Sequence, residues 1–242
     1  MGILSKIINK LKGTTVKNKT TIDPTPYEID SNIFFADISH HRKSFDVLTY
    51  AKKYKLLIHK TTQGASMVDP KWNDRKYMCD DAKLKMVGYH FYNCYIDPIK
   101  QAEHYLKNHG DFKGLNPIID FETEGSKQTE SDLIADIENF YLCLKHVQKA
   151  TGLTPIIYAN LLCLQRLQLD KKFTEFYIWP ARYNKYMMFV PYPWTPDKLF
   201  AWQYSDGGSV YSHPDYPNKF DGVNDTVCDS NIYNFKVDLY KL

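Results

Sequence analysis

The sequence predicts an α/β fold, an irregular (β/α) TIM-like barrel with eight strands and reduced helices in the C-terminal third. Three observations carry this prediction. From residue 32 onward, eight short β-branched and aromatic runs alternate with stretches patterned at helical spacing. Such alternation implies parallel pairing with right-handed crossovers, and eight units close a barrel. Second, several runs end in acids or amides, as strands do when their carboxyl ends form one polar mouth. Third, the last third holds strand-like runs with too little helix between them for regular units.

Taken in order, Met1 to Lys12 reads as a basic amphipathic helix. Ile3, Leu4, Ile7, Ile8 and Leu11 share one face, and Lys6, Lys10 and Lys12 lie off it. Met1-Gly2 suggests myristoylation, but Lys6 stands where that signal wants Ser or Thr. Asp23-Pro24-Thr25-Pro26 marks a linker, so residues 1–30 form a helix and tether and residues 31–242 the barrel. The helix packs on the barrel's outer helices or docks through Met1–Lys12 on a partner protein or an anionic membrane surface; the sequence leaves both open.

Strands are predicted at Asn32 to Ser39, Lys55 to Lys60, Met86 to Tyr92 and around Asp120, then at Thr154 to Ala159, Phe176 to Arg182, Leu199 to Tyr204 and Val227 to Tyr233. Helices are predicted at Phe45 to Lys53, Trp72 to Leu84 and Pro98 to Asn108. One long helix follows a Thr129 or Ser131 cap and ends at Gly152, with Leu133, Ile134, Ile137, Phe140, Tyr141, Leu144 and Val147 on its apolar stripe. Thr61-Thr62-Gln63-Gly64 reads as a turn.

The 242 residues are 43% hydrophobic and 24% charged, which is ordinary for a globular chain. The net charge of +3 is too small and scattered to argue for nucleic acid as a partner. Aromatics reach 15%, with 19 Tyr, and amphipathic rings suit a cleft that stacks against sugars or bases. The five cysteines are odd in number and show no metal spacing, which predicts free thiols and folding in a reducing compartment. No secretory signal is recognisable at the N-terminus, so synthesis in the cytoplasm without a signal peptide is expected.

The chain's most informative stretch is Asn116-Pro117-Ile118-Ile119-Asp120-Phe121-Glu122. Spacing i and i+2 on a strand puts Asp120 and Glu122 on one side, with Phe121 opposite. Either the pair lies in a cleft at the carboxyl end of a barrel strand, or it is a solvated strand end that caps the next helix. Under the barrel reading Asp37, Gln203, Asp229 and Asn231 also stand at strand ends, and Thr62, Gln63, His90, Tyr92 and Tyr204 join them on the rim. His90 reads more readily as a core histidine than as a catalytic one. Trp179 reads as core, whereas Trp202 is equally a glycan platform. Adjacent His40 and His41 have no third ligand at metal spacing.

An ordered series of motifs resembles the family 25 glycoside hydrolases, the N-acetylmuramidases or lysozymes of bacteria and phages. It comprises Ala36-Asp37-Ile38-Ser39, Lys60-Thr61-Thr62-Gln63-Gly64, Gly88-Tyr89-His90-Phe91, Asp120-Phe121-Glu122, Pro155-Ile156-Ile157-Tyr158, Trp179-Pro180-Ala181-Arg182-Tyr183, Trp202-Gln203-Tyr204 and Cys228-Asp229-Ser230-Asn231. It spans about residues 32 to 240. The resemblance implies hydrolysis of the β-1,4 bond between N-acetylmuramic acid and N-acetylglucosamine in peptidoglycan, without metal or cofactor. Glu122 matches the family's proton donor and Asp120 the acid beside it; Asp37 and Asp229 match the remaining acids of the cleft. Gln63, Tyr92, Trp202, Gln203, Tyr204 and Asn231 are the expected substrate contacts. Such an enzyme suits a phage endolysin or virion-borne lysin acting on the bacterial wall. Two departures stand out: Gln63 replaces a frequent Glu, and His40-His41-Arg42 replaces the family's usual Gln after Ser39. Two other readings compete. A chitinase-like barrel would carry a further acid at position 118, which is Ile. A non-catalytic glycan-binding or structural phage module would not need four acids.

Overall fold

A computed structural model describes residues 34–113, 115–122, 129–183, 190–207, 216–223 and 228–233. The N-terminal helix and tether expected over residues 1–30 lie outside the described residues. Nine strands form one sheet: β1 (Phe34–Ile38), β2 (Leu56–Gln63), β3 (Met67–Val68), β4 (Lys85–Phe91), β5 (Ile118–Asp120), β6 (Ile156–Asn160), β7 (Tyr177–Ala181), β8 (Ala201–Asp206) and β9 (Asp229–Tyr233). The sheet runs in the order β1-β9-β8-β7-β6-β5-β4-β2-β3 and closes because β1 also pairs with β2. Eight strands therefore make the barrel, as expected, and β3 is a short hairpin partner of β2.

Two expectations need correction. The barrel is mixed: β9 runs antiparallel to both β1 and β8. The chain reaches β9 from β8 without a helical crossover among the described residues, and a crossover is what a parallel pair requires. The long helix is also broken. Helices α1 (Val47–Lys53), α2 (Trp72–Asp81) and α3 (Pro98–His109) precede α4 (Glu130–Ala135), α5 (Ile137–Thr151) and α6 (Leu161–Leu167). Asp136 separates α4 from α5 because its side chain turns inward, accepting hydrogen bonds from the Tyr92 hydroxyl and from Asn139 Nδ2. Asn160 caps α6, which the sequence reading left out, by accepting from Cys163 N at 2.9 Å.

Sequence parity sorts the residues into layers. Phe35, Ile58, Val87, Ile118, Ile156, Trp179 and Ala201 fill the barrel interior. Ile119, Ile157 and Ile178 point outward onto α3 and α5, where Tyr105, Phe140, Leu144 and Val147 cover them. Gly152 ends α5 in the left-handed conformation, at φ 70°, which a glycine adopts without strain. Gly88 is required for a different reason: a Cβ there would come within 2.7 Å of both Trp72 and His109, so α2 and α3 reach the sheet only over a glycine.

Two buried tyrosines bridge neighbouring strands from the helices outside. Tyr50 of α1 takes a hydrogen bond from Ala36 N of β1 at 2.9 Å and gives one to Leu56 O of β2 at 2.8 Å. Tyr105 of α3 takes one from Ile118 N of β5 at 3.2 Å and gives one to Gly88 O of β4 at 2.7 Å. All five cysteines are free thiols, and no helix among the described residues is long and apolar enough to cross a membrane.

Three buried histidines are held neutral by burial, His59 at a pKa of about 4 and His90 and His109 at about 3. Their partners fix the tautomers. His90 donates from Nε2 to Gln101 Oε1 and accepts at Nδ1 from the Thr62 hydroxyl; His59 donates to Lys60 O and accepts from Arg75 Nη1. His90 is thus the core histidine the sequence favoured.

Two outcomes follow. Tyr105→Phe leaves a buried amide and a buried carbonyl unpaired and should cost about 1–3 kcal/mol in urea unfolding; no measurable loss would mean that the hydroxyl carries nothing. The unfolded chain protonates its histidines below about pH 6.5, whereas the folded chain refuses those protons until pH 3–4. Their contribution is complete above pH 6.5 and falls by up to about 1.4 kcal/mol per pH unit for each histidine as pH drops. His90→Gln should therefore lose less stability between pH 6.5 and 4 than the native protein.

Candidate active site

The polar residues collect above the apolar plug of the barrel. A cavity of about 170 Å³ is lined by Asp37, Tyr89, Asp120, Glu122, Tyr158, Trp179, Tyr183, Gln203 and Asp229. Asp37 and Asp120 come from the carboxyl ends of parallel strands, and Glu122 follows two residues after Asp120. Asp229 reaches the same mouth because β9 is antiparallel and begins there. All four acids singled out in the sequence thus meet in one place.

Asp37 is anchored by two side-chain amides. Its Oδ2 accepts from Asn231 Nδ2 at 2.6 Å and from Gln203 Nε2 at 3.0 Å. Both amides are oriented by further donors. Trp179 Nε1 donates to Asn231 Oδ1 at 2.9 Å, and the Tyr158 and Tyr183 hydroxyls donate to Gln203 Oε1 at 2.9 and 3.1 Å. Each amide oxygen being occupied as an acceptor, each nitrogen must face Asp37. Gln203 and Asn231, expected as substrate contacts, both bond Asp37, and Gln203 also lines the cavity.

Burial dominates the electrostatics. It raises the pKa of Asp37 above the usual carboxylate range against the pull of its two amide donors and of Arg42. Asp229 is held well above that range, by burial first and by the charge of Asp37 second. Tyr89 and Tyr158 are pushed far up, by burial and then by the surrounding acids, so both phenols remain hydrogen-bond donors.

Several expected contacts fall elsewhere. Tyr92 is fully buried outside the barrel against Phe121 and Phe140. Trp202 and Tyr204 also point outward, packing on each other and on Tyr216, with Trp202 Nε1 donating to Arg182 O. The cause is parity: the inward neighbours are Tyr89 and Phe91 on β4 and Gln203 on β8. Thr62 and His90 bond to each other on the outer face. A register shift between Lys60 and Thr62 turns Gln63 back toward the interior, where its Oε1 accepts from Lys60 Nζ at 2.6 Å. Trp179, read as core, also lines the cavity, and the cleft residues missed outright were Tyr89, Tyr158 and Tyr183. Counting by twos from Val87, Ile156 and Trp179 would have found them.

The raised acids carry a signed consequence. A carboxyl whose folded pKa exceeds its unfolded value of about 3.9 costs stability as pH climbs through that interval. Asp229→Asn should therefore raise the melting temperature at pH 7, and the gain should vanish below about pH 3, where both states hold the proton. A melting temperature lowered at pH 7 would contradict the raised pKa.

Comparison with known proteins identifies the family and the fold. Residues 36–213 match the family model of glycosyl hydrolases family 25. The chain is 27% identical over 216 residues to the Escherichia coli (strain K12) protein YegX, covering 84% of this chain and 70% of that one. A lysozyme from Streptomyces coelicolor superposes with a TM-score of 0.68 at 18% identity, covering 84% of this chain and 92% of that one. The family GH25 lysozyme of Aspergillus fumigatus gives 0.65 at 24% identity over 84% and 93%. The catalytic domain of endolysin ply40 from the Listeria monocytogenes phage P40 gives 0.60 at 17% over 87% and 96%. With a match of that extent, and with the barrel and its acid cluster in place, the chain belongs to glycosyl hydrolases family 25.

Proposed function

We propose that this glycoside hydrolase is an N-acetylmuramidase, cleaving the β-1,4 bond between N-acetylmuramic acid and N-acetylglucosamine of peptidoglycan. The observation that carries this reading is the convergence of Asp37, Asp120, Glu122 and Asp229 on one cavity at the barrel mouth. A glycosidic oxygen is a poor leaving group at neutral pH and needs a proton. Glu122 is assigned as its donor: it is half-buried at the rim, where a substrate oxygen can reach it, whereas Asp120 lies 4% exposed beneath. Asp120 then supports the substrate's acetamido group or the positive charge that develops at the anomeric carbon. Asp37 and Asp229 complete the acid cluster, with burial and the charge of Asp37 favouring the protonated form of Asp229, and Gln203 and Asn231 orient Asp37. Tyr89 offers a hydroxyl donor to the sugar, whereas Tyr158 and Tyr183, whose hydroxyl protons go to Gln203, offer ring faces and oxygen acceptors. The setting proposed is lysis of a bacterial wall by a phage enzyme, released or virion-borne; the likeness to the Listeria phage endolysin domain supports it.

Digestion of purified walls followed by reducing-end analysis tests the reading. New ends should be N-acetylmuramic acid; ends of N-acetylglucosamine would overturn it. Glu122→Gln should lower turnover by about 10²–10⁴-fold with the fold intact. Activity within a few-fold of native would remove Glu122 from the role.

A further inference from the structure

The charged residues that line the cavity are all acids. A wall glycan carries carboxylates of its own, so such a mouth repels its substrate unless a cation stands nearby. One does. The turn after β1, residues 39–43, carries His40, His41, Arg42 and Lys43 and begins two residues beyond Asp37.

This turn is fixed from behind. Arg75 of α2 donates to Ser39 O at 3.0 Å and also to Arg42 O. Lys71 Nζ donates to Arg42 O at 2.7 Å and to Lys43 O at 2.8 Å. Asp69 Oδ2 accepts from both the backbone amide and Nδ1 of His40, at 2.9 and 2.8 Å. Arg75 is itself buried and braced by His59. The backbone is thus held rigid while the Arg42 side chain stays half-exposed and meets no hydrogen-bond or ion-pair partner among the described residues. Its charge reaches the site, since it pulls down the pKa values of both Asp37 and Asp229. His41 is exposed beside it, and Lys60 lies close enough to lower the His41 pKa.

We propose that the 39–43 turn is a preorganised anion-binding rim, in which Arg42, seconded by His41, takes the carboxylate of a muramyl unit in the cleft. The geometry gives specificity for wall glycan over neutral chitin-like chains: Arg42 is matched by a group that only the muramyl sugar or its stem peptide supplies. This rests on the muramidase reading for the identity of the sugar.

The test uses the full chain carrying Glu122→Gln, so that ligand survives, with Arg42 native or replaced (Arg42→Gln, Arg42→Lys). The probes are a tetrasaccharide of alternating N-acetylglucosamine and N-acetylmuramic acid with free lactyl carboxylates, its lactyl methyl ester, and a form whose lactyl groups carry a stem dipeptide. Calorimetry should show esterification weakening binding roughly 10- to 100-fold with Arg42 present. After Arg42→Gln the acid should bind no more tightly than the ester, and Arg42→Lys should restore part of the difference. If the dipeptide form binds as the free acid does, the peptide carboxylate can serve; if it binds as the ester does, the lactyl carboxylate is the ligand. An ester penalty of the same size with and without Arg42, or none in either, overturns the proposal. Turnover of the same tetrasaccharide by the native protein separates the two readings: Arg42-dependent binding without new muramic acid ends would sink the muramidase and leave the rim.

Discussion

One carboxylate oxygen, Oδ2 of Asp37, receives amide protons from both Asn231 and Gln203. The rest of the mouth depends on that contact. It ties β1 to β9 and β8, and so crosses the stretch where the barrel departs from parallel pairing. Trp179, Tyr158 and Tyr183 aim the two amides, so aromatic rings between the plug and the cleft set the orientation of the polar groups above them. A buried acid held in this way is costly, as the raised pKa values of Asp37 and Asp229 record. A fold selected for stability alone would replace such residues; one that must present charge to a developing cation keeps them.

The second organising feature is the outer layer. Tyr50 and Tyr105 carry the same device on two sides of the barrel, each hydroxyl spanning two strands from an external helix. Glycine at 88 lets α2 and α3 approach closely enough for Trp72 and His109 to meet over the sheet. From α2, Arg75 and the neighbouring Lys71 reach forward to the turn behind Asp37. Packing far from the cleft thereby fixes the cations at its edge.

The barrel, its strand count and its four acids were legible in the sequence because each rests on local pattern. Asp120 and Glu122 share a face by spacing, and Asp37 ends an apolar run. The direction of β9 was not legible, since a five-residue run carries no mark of direction. The break at Asp136 was hidden for a similar reason: a continuous apolar stripe runs through it, and only the distant Tyr92 shows why the acid turns inward. Tyr92, Trp202 and Tyr204 were misplaced by choosing aromatic residues near strand ends without counting parity from the buried positions. The shift between Lys60 and Thr62 inverts parity once more and returns Gln63 to the inner face, which no local rule foresees.

The account's central claim is that Glu122 delivers its proton to a glycosidic oxygen lying across the acid-lined mouth. A crystal structure of the Glu122→Gln protein with an N-acetylglucosamine–N-acetylmuramic acid tetrasaccharide tests it most directly. The scissile oxygen should lie within about 3 Å of the side chain at position 122, with the muramyl ring over Asp120. A glycan bound outside the mouth, or with its scissile oxygen against another acid, would contradict the account.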